Sequence, residues 1–73
     1  MQPDQLKVLQ KALEHKRSRE EFEQAVGRAT RKLGLPFQFY VQLMGEVREL
    51  AQSQGVPVET AAKRLLEQGD QDA

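Results

Sequence analysis

The segment PFQFYVQLMGEVRELAQSQ, residues 36–54, is more apolar than an ordinary surface helix. At about 100° per residue, its apolar side chains fill an arc of roughly 200° on a helical wheel, whereas a surface helix usually shows a stripe nearer 100° wide. The polar residues of the segment gather in the remaining sector. A helix with so wide an arc must be covered on two sides, so we expect the rest of the chain, a partner or a second copy of the chain to pack against it.

The length of the chain points to the same need for a partner. Its 73 residues make one small domain, and a domain of about 60 residues buries only about 60% of the surface that its unfolded chain exposes. Disulfides, a metal or oligomerisation usually add the missing stability. The absence of cysteine and the single histidine leave oligomerisation. We therefore expect a homodimer, with these interface residues for the second copy or another partner: Phe37, Phe39, Tyr40, Leu43, Met44, Val47 and Leu50.

Composition narrows the class of protein. The chain has no signal-peptide pattern and no apolar run near the roughly 20 residues that span a bilayer. Its eleven basic and eleven acidic residues give no overall attraction to nucleic acid. The lack of cysteine is typical of a reducing compartment. We expect a soluble cytoplasmic protein that does not bind membranes.

The charges are unevenly distributed along the chain. Residues 11–32 contain seven basic and four acidic residues, a local balance of +3, and residues 33–73 contain three basic and six acidic residues, a balance of −3. This asymmetry either orients a partner or sister subunit, or belongs to a solvated surface with mixed ion pairs.

Local signals divide the chain into helices. Ser18 and Glu21 form a capping-box pattern, in which each side chain bonds to the other residue's free backbone N–H, so the second helix is expected to begin at Ser18. Gly34, Gly55 and Gly69 each follow an apolar-periodic segment and are expected to end a helix. We expect four helices, over residues 3–16, 18–33, 36–54 and 57–68.

These elements predict a compact all-α bundle of four short helices, with one domain over residues 1–69 and a disordered acidic tail over residues 70–73. The one weak strand candidate is TRKLGL, residues 30–35. Gly45, within the third helix, is either a tolerated interruption or a place where another helix backbone approaches closely.

No set of residues has the pattern of an active site. His15, the single histidine, stands beside two basic residues on the polar side of the first helix, which is typical of a surface position. The glycines are scattered and form no phosphate-cradling loop. We therefore expect a non-enzymatic protein without a cofactor, a metal site or catalytic residues.

The second helix carries a candidate nucleic-acid surface. Arg17, Arg28, Arg31 and Lys32 project into one sector beside its apolar stripe, where they would form a ridge able to contact phosphates, although the acidic Glu21 lies in the same sector. No aromatic residue is interleaved with them in the helix, which argues against the stacking used to bind single strands.

The segment ELAQSQGVPVETAA, residues 49–62, resembles the turn region of helix-turn-helix DNA-binding proteins. Ala51 is the small residue that lets the two helices approach, Gly55 makes the left-handed turn, and Val56 seals it. Arg64 stands where that pattern has a buried aliphatic residue. Continued through Leu66, the segment also resembles the helical part of ribbon-helix-helix repressors, in which the basic strand would be residues 30–35.

The two resemblances imply different contacts with DNA. A helix-turn-helix geometry would place the last helix in the major groove, with Glu59, Thr60, Lys63 and Arg64 near bases or phosphates. A ribbon-helix-helix geometry would give the reading role to the segment with Arg31 and Lys32.

Together these observations predict a small DNA-binding protein that regulates transcription as a homodimer. The alternative is a protein–protein adaptor or inhibitor that takes a partner's helix on the apolar face of the third helix and binds no nucleic acid.

Overall fold

The computed structural model describes the backbone of residues 2–71 and the side chains of residues 2–68. Within that range the chain is helical and has no strand, and it measures about 29 × 28 × 21 Å along its principal axes. The expected all-α fold of four helices is confirmed. The helices are α1 (Pro3–His15), α2 (Phe22–Lys32), α3 (Phe37–Gln54) and α4 (Val58–Gln71).

The start of α2 differs from the expectation. The helix begins at Phe22, not Ser18, and Glu21 is its N-terminal capping residue, with the backbone N–H of Glu21 donating to Gln24 Oε1 at 3.4 Å. Residues 17–20 form a turn, in which the N–H of Glu20 donates to the carbonyl oxygen of Arg17 at 3.0 Å. The expectation that α2 begins at Ser18 was wrong. The sequence has two overlapping capping patterns, Ser18 with Glu21 and Glu21 with Gln24, and the structure uses the second. Phe22 is then the first helical residue and is buried in the core.

Two turns of the same design flank α3. Gly34 and Gly55 both have left-handed backbones, with φ of 72° and 66°. After each glycine, the next residue's N–H bonds back across the helix end: Leu35 to the oxygen of Thr30 at 3.1 Å, and Val56 to that of Ala51 at 3.0 Å. This is the Schellman pattern, which satisfies carbonyl groups that have no partner within the helix. The expected helix ends at these two glycines are confirmed.

The expected end of the last helix at Gly69 was wrong. Helix α4 continues to Gln71, so Gly69 is a helical residue. Residues 70 and 71 of the expected tail therefore belong to α4, whereas residues 72 and 73 lie outside the described range. The disorder of the tail stays a prediction.

The helices pack in a ring, α1 against α2, α2 against α3, α3 against α4, and α4 against α1. Each contributes one face to a single core. The side chains that α3 buries in the core, Leu43, Met44 and Val47, lie on one side of the expected arc, whereas the buried residues of α4 within residues 58–68 are alanines. The buried hydrophobic residues are Val8, Leu9, Ala12, Phe22, Ala25, Val26, Ala29, Leu43, Met44, Val47, Ala51, Ala61 and Ala62.

Candidate interaction surfaces

The side of α3 that faces away from the core keeps part of the apolar arc exposed. Phe37 is 75% exposed and Val41 is 51% exposed. Gly45 follows one helical turn later, and a Cβ atom built on it would meet nothing within 4 Å. Residues four apart lie on the same helix face, so these three residues form one row, which we call the α3 outer face.

The aromatic end of this face is ordered by a contact with α2. The rings of Phe37 and Tyr40 lie with their centroids 5.6 Å apart. The Tyr40 ring packs over Gly27, where a Cβ atom would lie 3.7 Å from Tyr40 Cε2. The sequence does not reveal this contact, because periodicity within one helix does not show which neighbour crosses it.

The predicted interface residues divide between the core and the surface. Leu43, Met44 and Val47 have at most 1% of their surface exposed within the single chain, so they have no surface left for a partner in this conformation. Phe39, Tyr40 and Leu50 are half-buried against the core, and Phe37 is exposed. The chain itself thus covers most of the wide arc.

The side chain of Arg28 connects α2 to the end of α1 by hydrogen bonds. Its Nη2 donates to the backbone oxygen of His15 at 2.7 Å, at the end of α1, and to Glu20 Oε1 at 2.9 Å. The guanidinium therefore ties the end of α1 and the following turn to α2. Arg31 and Lys32, by contrast, are exposed at the end of α2.

The predicted contacts on α4 are partly accessible. Glu59 and Thr60 are half-buried, whereas Lys63 and Arg64 are exposed. Arg64 Nη1 donates to Gln54 Oε1 at 2.6 Å, so its head group lies at the C-terminal end of α3. The position that helix-turn-helix proteins fill with a buried aliphatic residue is thus on the surface here.

The exposed basic residues of α2 and α4 form two separate groups. Arg31 and Lys32 lie just before α3 begins, and Arg64 is bonded to the last residue of α3. An 18-residue helix is about 27 Å long, so the two groups lie near opposite ends of the domain.

The segment that a ribbon-helix-helix protein needs as a strand is not extended. Thr30 is buried within α2, and its hydroxyl donates to the oxygen of Val26 at 2.8 Å. The next residues complete α2 and the turn at Gly34. The strand candidate over residues 30–35 was therefore wrong, because the helical stripe and the terminating glycine determine the local backbone.

The turn that carries the helix-turn-helix resemblance has a counterpart in the same chain. Gly34-Leu35-Pro36 and Gly55-Val56-Pro57 make the same pair of backbone bonds, and both Leu35 and Val56 pack against the core. A glycine, an aliphatic residue and a proline thus end a helix here twice. The geometry of the second turn is explained by capping without any reference to DNA.

A groove lies on each flank of α3. The one beside α2 has a volume of about 420 Å³ and is lined by Glu23, Gln24, Gly27, Arg28, Arg31, Phe37 and Tyr40. The one beside α4 has about 450 Å³ and is lined by Glu46, Glu49, Leu50, Ser53 and Leu65. The outer face of α3 therefore runs between an aromatic flank with arginines and an acidic flank.

Comparison with protein-family models, curated proteins and solved structures finds no match to this chain. Among the helices of residues 2–71, none has the length and apolarity needed to cross a membrane. Within the described residues, no three His, Cys, Asp or Glu side chains come together in a group able to hold a metal ion.

Proposed function

We propose that the protein is a small non-enzymatic interaction module that works as a homodimer, with two copies joined through the outer face of α3. One observation carries the proposal: Phe37 and Val41, exposed apolar side chains, share a row with a glycine that has open space above it. A mid-helix glycine costs about 0.5–1 kcal/mol relative to alanine. Close approach of a second helix backbone at Gly45 would offset that cost.

A second copy fits this face by charge. Arg48 and Glu49 lie three and four residues after Gly45, so they flank it on opposite edges of the outer face. In a parallel pair of helices related by a two-fold axis, each edge meets the opposite edge of the other copy. Arg48 of each copy then faces Glu49 of the other, and the two Val41 side chains meet between them.

Arg48 keeps hydrogen-bond donors available for this pairing after its bonds within the chain are counted. Arg48 uses Nε and Nη2 to reach Glu23 Oε1, at 2.9 and 2.8 Å. A guanidinium has five N–H donors, so those on Nη1 remain for a carboxylate across the dimer. An interface built on one helix face belongs to the small class, below about 1,200 Å², so we expect a dissociation constant in the micromolar range.

A single engineered cysteine tests the arrangement, because the chain has none of its own. We expect Val41→Cys to form disulfide-linked dimers rapidly under mild oxidation, since the parallel pairing brings the two positions together. Gln68→Cys, also on an exposed helical position, is the matched control and should form few disulfide-linked dimers, because the pairing through α3 does not bring its two copies together. Equal rates of cross-linking for the two variants would refute the proposed interface.

Binding of duplex DNA is a second candidate function, and one observation favours it. Lys63 and Arg64 are adjacent exposed cations on α4, the helix that leaves the turn at Gly55. A homodimer would present two such helices, as a transcription regulator requires. DNA binding should then weaken steeply with salt and be lost in Lys63→Ala/Arg64→Ala but kept in Arg17→Ala/Arg31→Ala, which removes two exposed cations, one before α2 and one near its end. No binding at low salt, or the reverse dependence on the two variants, would exclude this role for α4.

A further inference from the structure

We propose that the cleft between the C-terminal half of α1 and the outer side of α2 binds a phosphate group. The cleft is partly enclosed, has a volume of about 40 Å³, and is lined by Lys11, His15, Ala25, Arg28, Ala29 and Lys32. One water needs roughly 10–15 Å³ measured in this way. The cleft therefore has room for about three or four waters, a space that the oxygens of a phosphate group would fill.

The cleft is assembled from three pairs of residues, each spaced by four. Such pairs lie on one helix face, and here Lys11 and His15 come from α1, while α2 supplies the rest. Ala25 and Ala29 are buried and form an apolar floor. Arg28 and Lys32 form the opposite wall. The sequence separates Lys11 from Lys32 by 21 positions, so only the packing of α1 on α2 reveals the site.

Arg28 is held in place before any ligand arrives. Its side chain is 27% exposed, and its Nη2 is bonded to the oxygen of His15 and to Glu20. The donors on Nη1 and Nε take part in no hydrogen bond among the described residues, so they remain for a ligand. A guanidinium fixed in this way loses little rotamer entropy on binding, which favours affinity.

The charge of the cleft selects the class of ligand. Glu20 neutralises one positive charge, but Lys11 and Lys32 form no ion pair within residues 2–68. Two ammonium groups and a fixed guanidinium together suit a dianion with several acceptor oxygens. Arginine is especially suited to phosphate because its planar fork donates two parallel bonds.

The phosphate group has two sources, a small phosphorylated molecule and a nucleic-acid backbone, and the test has an arm for each. The full chain is titrated, at constant ionic strength, with inorganic phosphate and separately with a short DNA duplex. The backbone amide resonances of Ala25 and Ala29 are followed by NMR. The variants are Lys11→Gln/Lys32→Gln and, as the matched control with equal charge change, Lys7→Gln/Arg19→Gln, which removes two exposed cations outside the cleft.

We expect saturable shifts at Ala25 and Ala29 with at least one of the two ligands. The affinity should fall at least tenfold in Lys11→Gln/Lys32→Gln and stay unchanged in the control. Saturation with phosphate identifies a small phosphorylated ligand, and saturation with the duplex alone identifies the backbone. Shifts that do not saturate with either ligand, or an equal loss in both variants, would overturn the proposal. The circular dichroism spectra of both variants should match that of the wild type, which checks that they are folded. The homodimer is not involved in this test, so the two proposals fail or stand separately.

Discussion

Helix α3 has two apolar faces, of which one is buried and the other is exposed. On its inner face, Leu43, Met44 and Val47 are buried by the chain's own helices. On its outer face, Phe37 and Val41 remain exposed although they belong to the same wide arc. The width of the apolar arc on the helical wheel shows how much apolar surface the helix has. Which part of that surface stays exposed depends on how α2 and α4 pack against the helix. We propose that this exposed apolar surface is the face through which two copies of the chain associate.

The largest effect is expected on the inner face. Leu43→Ala removes a fully buried side chain and should lower the free energy of unfolding by about 2–5 kcal/mol. That is enough to unfold a domain of marginal stability. Phe37→Ala is the outer-face control and should change the free energy of unfolding of the monomer by less than about 0.5 kcal/mol. Urea denaturation at low protein concentration measures both. Similar losses in the two variants would remove the distinction between the faces.

The outer face should determine self-association rather than stability. Val41→Lys places a charge in the proposed interface and should weaken dimerisation at least tenfold, a loss of about 1.4 kcal/mol or more in the free energy of association. Gln68→Lys adds the same charge at an exposed position of α4 and should leave dimerisation unchanged. Light scattering over a concentration series compares them. An unaffected dimer in Val41→Lys would move the interface elsewhere.

A single substitution, Gly45→Ala, should have opposite effects on the stability of the monomer and on dimerisation. In the monomer, Gly45→Ala puts a methyl group into open space and should raise the free energy of unfolding by about 0.5–1 kcal/mol. In the dimer the same methyl group would obstruct the close approach of two backbones, so association should weaken. Gly27→Ala is the control, because its methyl group would only reach ordinary contact with Tyr40 and should stabilise the fold without any change in association. Matching behaviour of the two alanine variants would mean that no backbone approaches Gly45.

The smallest effect is expected at the edge of the outer face. Arg48→Gln breaks the ion pair with Glu23, in which the arginine side chain is 55% exposed, so the free energy of unfolding should fall by only about 0.2–1 kcal/mol. The melting temperatures of the wild type and the variant should differ less at high salt than at low salt, because salt screens the ion pair. Thermal melts at the two salt concentrations measure this difference. A difference that does not shrink with salt would show that packing of the arginine stem, not its charge, stabilises this edge.

The sequence was sufficient for those features that depend on a few neighbouring residues. Gly34 and Gly55 end helices because a residue with a left-handed backbone is needed there. The start of α2 could not be read from spacing alone, because Ser18 with Glu21 and Glu21 with Gln24 both have the spacing of a capping box. The structure uses the second pair, and Phe22 is then buried in the core.

The candidate sites were harder to predict for the same reason. A helical wheel grouped Arg28 with Arg31 and Lys32, but the bond from Arg28 to the oxygen of His15 comes from the neighbouring helix. The wheel also grouped Leu43 with Phe37 in one arc, because it cannot tell which side the other helices cover. The cleft with Lys11 and Lys32 arises only from tertiary packing.

The mass of the full chain in solution tests the central claim most directly. Sedimentation equilibrium over the micromolar range should show the mass rising with concentration from 8.3 kDa towards twice that value, and Val41→Lys should remain at the monomer mass. A wild-type chain that stays at 8.3 kDa up to high micromolar concentration would contradict the claim that the outer face of α3 joins two copies.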